Sequence, residues 1–74
     1  MSLSKEIKLI RQRRLMSQSD FAKELNVSYT TVNRWETGKA RPNINAMKEI
    51  KRFCEQSNID YGVIEREWLN SDDN

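Results

Sequence analysis

Residues 17–38 read SQSDFAKELNVSYTTVNRWETG, and this stretch decides the fold. Ser17 is a good helix N-cap, and Asp20 three residues on gives a capping-box-like pattern. Phe21, Ala22 and Leu25 then form one apolar helix face. Asn26 follows where the chain must turn sharply, and asparagine tolerates the left-handed conformation better than any residue except glycine. Ser28 caps a second helix, about Tyr29 to Thr37, whose buried face is Val32 and Trp35. Gly38 stands one step beyond it, where a left-handed C-terminal cap is wanted.

Two short helices that cross steeply over a tight turn need a small residue where their axes approach most closely. Ala22 supplies it, and Val32 and Trp35 press the second helix onto the first. The exposed face of that second helix is then Tyr29, Thr30, Asn33, Arg34 and Thr37, all able to hydrogen-bond. Taken together, Ser17-Gln18, Phe21-Ala22, Leu25, Val27-Ser28, Val32, Trp35-Glu36, Gly38-Lys39 and Pro42 resemble the helix-turn-helix of the phage-repressor type, the Cro-like or XRE family. The resemblance covers roughly Ile7 to Ile50 well and the C-terminal third poorly. Asn26 departs from the usual glycine, with a backbone that asparagine can also adopt.

Working outward, a first helix is expected from about Ser4 to Arg14, with Ser4 as N-cap, Glu6 in the first turn, and Ile7 and Ile10 facing the core. Leu9 lies off that stripe, and Met16 closes the connection. Arg13 and Arg14 suit the negative end of the helix dipole, with a DNA phosphate as the alternative partner. Beyond Gly38, Lys39-Ala40-Arg41-Pro42 is a loop, because Pro42 disfavours helix at Arg41 and lacks a backbone donor. Asn43 caps a fourth helix, Ile44 to Gln56, with an inward stripe of Ile44, Met47, Ile50 and Cys54 and with Phe53 alongside. Cys54 reads as a small buried apolar residue. Asp60 caps a fifth helix, about Tyr61 to Leu69, where Tyr61, Ile64 and Trp68 share a face flanked by Val63 and Leu69. That face either completes the core or, Trp68 first, forms a dimer contact.

The chain has 74 residues, one cysteine and no histidine. One small domain over residues 1–70 is expected, with a frayed tail at 71–74. A single cysteine excludes an internal disulfide framework, and the composition offers no zinc site and no cofactor site. With no apolar run of membrane-spanning length and no signal-peptide pattern, a cytoplasmic protein is expected. The net charge of +2 hides an asymmetry: residues 1–52 carry 12 Lys and Arg against five acids, and residues 53–74 carry one Arg against six. A basic front and an acidic back suit a protein that presents one side to a polyanion.

The resemblance implies an all-α, compact five-helix, lambda-repressor-like DNA-binding domain, with the helix-turn-helix formed by the second and third helices. It implies a sequence-specific transcriptional regulator, a repressor, acting as a homodimer on a palindromic operator of double-stranded DNA. The expected base-reading residues are Tyr29, Thr30, Asn33 and Arg34, near the start of the helix that enters the major groove. Arg34 has phosphate contact or an ion pair as its alternatives. Gln18, Ser28, Thr37, Lys39 and Arg41 are the expected phosphate contacts. The resemblance further implies a structural ion pair between Arg11 and Glu36, against the alternative that Arg11 is a phosphate ligand. A second reading is the antitoxin of a toxin–antitoxin pair, its acidic C-terminal third covering a basic protein partner. No catalytic constellation is visible, so an enzyme is not expected.

Overall fold

The computed structural model describes residues 2–71, and among these there are five helices and no strand. They are α1 (Leu3–Arg13), α2 (Gln18–Glu24), α3 (Tyr29–Glu36), α4 (Ile44–Gln56) and α5 (Tyr61–Asn70). Each starts at a polar residue in extended conformation whose side chain accepts a bond from an otherwise unpaired N–H of the first turn. The pairs are Ser2 with Lys5, Ser17 with Asp20, Ser28 with Thr31, Asn43 with Ala46, and Asp60 with Gly62. Each such cap contributes about 0.5–2 kcal/mol. The cap of α1 corrects the sequence reading: Ser2 takes the role expected of Ser4. Leu3 is buried in the core, so the first turn has to include it.

The ends of α1 to α4 share one backbone design. A residue with positive φ follows the cap: Leu15 at 56°, Asn26 at 61°, Gly38 at 77° and Asn58 at 58°. The N–H after it reaches back across the last turn, as from Met16 to Arg11 O, Val27 to Ala22 O, Lys39 to Arg34 O and Ile59 to Cys54 O, at 2.8–3.2 Å. The positive-φ residue itself donates to a carbonyl three back, as from Leu15 to Gln12 O and Gly38 to Trp35 O. This is the Schellman closure, which satisfies carbonyls a helix end would leave bare. In three of the four turns the following residue is apolar, and Met16, Val27 and Ile59 all pack against the core.

The core draws on every helix. Ile7 and Ile10 of α1, Phe21 and Ala22 of α2, Val32 and Trp35 of α3, Met47, Ile50, Phe53 and Cys54 of α4, and Ile64 of α5 are all buried, as is Leu25 at the end of α2. Phe21 and Phe53 meet edge to face at 5.1 Å, joining α2 to α4. Ile44 does not face inward as its spacing suggests; it is 63% exposed, and Ala46 is buried in its stead. As the first residue of α4, Ile44 overhangs the rim of the core. On α5 only Ile64 is fully buried, Tyr61 and Trp68 pack partly on the core, and Leu69 is exposed. Burial pushes the Cys54 thiol up to about 11, so it stays protonated and unreactive near neutral pH. Glu6 is buried too, with Oε2 lacking a hydrogen-bond partner among the described residues. Of the expected tail, Ser71 donates through Oγ to Trp68 O at 3.0 Å, and residues 72–74 lie outside the described residues. Among the described residues no helix is long and apolar enough to cross a membrane.

Candidate nucleic-acid interface

The α2–α3 pair forms because Asn26 closes α2 in the left-handed region and Ser28, two residues later, opens α3. Val32 and Trp35 bury the inner face of α3, so its outer face is fixed without freedom to roll. Tyr29, Thr30, Arg34 and Thr37 lie exposed on that outer face, and Asn33 is half-buried at its edge.

Behind α3 lies a polar brace. Arg11 donates through Nε to Glu36 Oε2 at 2.7 Å and through Nη2 to Glu36 Oε1 at 2.8 Å. The Glu36 side chain is only 2% exposed and that of Arg11 11%. The third guanidinium nitrogen donates to Met16 O at 2.8 Å, so one side chain joins the α1–α2 turn to the end of α3. The hydrogen bonds to Glu36 raise the arginine's pKa above its ordinary value, with burial opposing. Gln18 donates to Glu36 Oε1 at 2.9 Å and accepts from Asn33 Nδ2 at 3.3 Å. Such a bidentate pair positions elements more than it stabilises them, because desolvation offsets most of the attraction.

The sequence-expected residues thus divide. Tyr29, Thr30 and Arg34 stand together at the surface; Arg34 Nη2 also donates to Lys39 O at 3.3 Å. Asn33 and Gln18 lie beside them but are bonded to each other. The Ser28 hydroxyl caps α3, and Thr37 Oγ1 donates to Asn33 O at 2.8 Å. Lys39 is exposed in the loop beyond α3. Arg41 lies over Trp68, its guanidinium carbon 4.5 Å from the ring centroid, and it lines a cleft together with Arg34. An open cleft of about 630 Å³ runs from the α2–α3 turn to the start of α4, edged by Asn26, Thr31, Arg34, Asn45 and Lys48. Asn45 and Lys48 were not singled out from sequence; their signal is their place in the first turns after the Asn43 cap.

A projecting helix that bears hydroxyl, amide and guanidinium groups, braced from behind and flanked by cations, has the size and chemistry to read base edges in a duplex groove. A helix-turn-helix family model (HTH_3) matches residues 7–61. Among characterised proteins, an HTH-type transcriptional activator, BcrR, of Enterococcus faecalis is 32% identical over 53 residues, which is 72% of this chain and 26% of that protein. The chain therefore spans about a quarter of that relative's length. No solved structure gives a significant match to the chain.

Proposed function

The chain belongs to the helix-turn-helix family, and on that premise we propose that it is a transcriptional regulator that binds double-stranded DNA in a sequence-specific way. The observation that carries this reading is the exposed face of α3, with Tyr29, Thr30 and Arg34 side by side, held by the buried Arg11–Glu36 pair. In this reading α3 enters the major groove. Arg34 forks onto guanine O6 and N7, and Thr30 meets a thymine methyl or a base-edge polar group. Tyr29 packs on a base edge or reaches a phosphate, and Asn33 supports them from the edge. Gln18, Ser28, Thr37, Lys39 and Arg41 contact or approach phosphates, which set the register without reading sequence.

One α3 covers only a few base pairs, so the working species is a two-fold homodimer on a palindromic site, with half-sites about 34 Å apart. Repression by occupying a promoter is the first reading. Activation is the second, favoured by the naming of BcrR as an activator.

The test is selection of bound sites from a random duplex pool, followed by titration of two variants. Palindromic recovered sites are expected; single half-sites would refute the dimer. Arg34→Ala should lose about 1–3 kcal/mol on the selected site and relax the preference at one base pair. Lys39→Ala should weaken all duplexes alike and lower the salt slope by about one unit. Equal loss for Arg34→Ala on selected and scrambled duplexes would remove its base-reading role.

A further inference from the structure

The loop from Gly38 to Pro42 carries Lys39 beside α3, and it is held from two directions. On the α3 side, Lys39 N and Ala40 N donate to Arg34 O at 2.9 and 3.3 Å, and Lys39 O accepts from Arg34 Nη2. On the far side the hold comes from one residue of α5. Trp68 Nε1 donates to Pro42 O at 2.7 Å. Arg41 lies over the Trp68 ring, 4.5 Å from its centroid, and Arg41 Nη2 donates to Trp68 O at 2.8 Å. Trp68 thus grips two consecutive loop residues by three contacts, two through its indole and one through its backbone carbonyl, from 26 and 27 positions away in sequence. Pro42 is buried, has no N–H to offer, and is followed at once by the Asn43 cap of α4. Its carbonyl is therefore an acceptor at the fixed end of the loop, and the indole N–H is its donor.

We propose that Trp68 is a positioning residue for DNA binding: from the last turns of α5 it fixes the path of residues 39–42, and so the place from which the Lys39 ammonium meets a phosphate beside α3. The proposal rests on the DNA-binding reading above and extends it to a helix outside the helix-turn-helix. A lysine is a flexible point charge, so its backbone anchor decides how much of its time it spends at one phosphate. Loosening the loop at Pro42 spreads the ammonium over solvent without removing any charge from the protein. The effect on affinity then runs through Lys39, which separates it from a mere loss of α5 packing.

The experiment is a double-mutant cycle read by duplex binding across a range of salt, on a mixed-sequence duplex so that base reading does not enter. In the wild-type background Lys39→Ala should weaken binding about three- to tenfold and lower the salt slope by about one unit. Trp68→Leu alone should reproduce most of that loss, slope included. In the Trp68→Leu background, Lys39→Ala should then change affinity by at most about twofold, since coupled residues are non-additive. Trp68→Phe keeps a ring for Arg41 and removes only the donor to Pro42. It should fall between the two, and it carries the cycle if Trp68→Leu does not stay folded at the assay temperature. Full additivity of the losses, or an unchanged salt slope in the folded Trp68 variant, would overturn the proposal alone. Failure of the wild-type chain to bind any duplex at low salt would overturn this proposal and the DNA-binding reading together.

Discussion

The turn after α1 and the turn after α3 have the same backbone and different packing anchors. Both are Schellman closures around a residue in the left-handed region, Leu15 at 56° and Gly38 at 77°. Leu15 is a poor residue for that conformation and is 93% exposed, so it gains nothing by packing. Its turn is instead held by what comes next: Met16 packs on the core, and its carbonyl accepts from Arg11 at 2.8 Å. Gly38 suits its conformation, yet it is followed by exposed Lys39; Arg34 Nη2 donates to the Lys39 carbonyl at 3.3 Å, and side-chain packing arrives only at Arg41 and Pro42. The backbone path of such a turn is thus set by its hydrogen bonds and anchors. The residue at the left-handed position sets how much strain that path carries.

The largest way to break this comparison is Arg11→Ala. It removes the donor to Met16 O and leaves Glu36, 2% exposed, without its cation. A loss of about 3–5 kcal/mol in urea unfolding is expected, the scale for a half-broken buried pair. A loss below about 1 kcal/mol would mean that solvent already screens the pair and that the turn after α1 stands on Met16 packing alone. Gly38→Ala comes next. A Cβ there would meet no atom within 4 Å, so space is not the constraint. Any cost comes from φ, and a loss of about 1–2 kcal/mol is expected. Leu15→Gly is the smallest and has the opposite sign. Relief of left-handed strain, less the extra freedom glycine gives the unfolded chain, should stabilise by about 0.5–1 kcal/mol. A fall in the thermal midpoint of Leu15→Gly would show that the leucine makes a contribution which its exposure hides.

The helix-turn-helix was legible in the sequence because its determinants are local. Ser17, Asn26, Ser28 and Gly38 mark the ends of α2 and α3, and the apolar spacing between them fits helices. The Arg11–Glu36 pair spans 25 positions and was expected only through the family resemblance. What escaped the reading was non-local or atypical. Ile44 satisfies a helical stripe, but a stripe says nothing of where the core ends, and the first residue of α4 lies past its rim. Ser4 is the expected cap; the burial of Leu3 brings that residue into the first turn and hands the role to Ser2. Nothing in Arg14-Leu15-Met16 announces a left-handed turn, since neither glycine nor asparagine is there. The grip of Trp68 on Arg41 and Pro42 depends on how α5 lies across the fold, which no local pattern specifies.

The brace behind α3 also has a direction. Glu36 is a carboxylate and can only accept, so Gln18 must turn its amide NH2 toward it and its oxygen the other way. That oxygen then obliges Asn33 to present its own NH2 inward. Each amide in the row could in principle be flipped, and it is the buried acid that orders them, one after another, out to the surface. Asn33 Oδ1 is therefore left to face outward as an acceptor, with one of the amide hydrogens already spent. A negative charge hidden at the end of α3 thus writes the polarity of a group at the edge of the exposed face. In the DNA-binding reading proposed above, it favours a donor opposite Asn33, such as the exocyclic amine of adenine or cytosine.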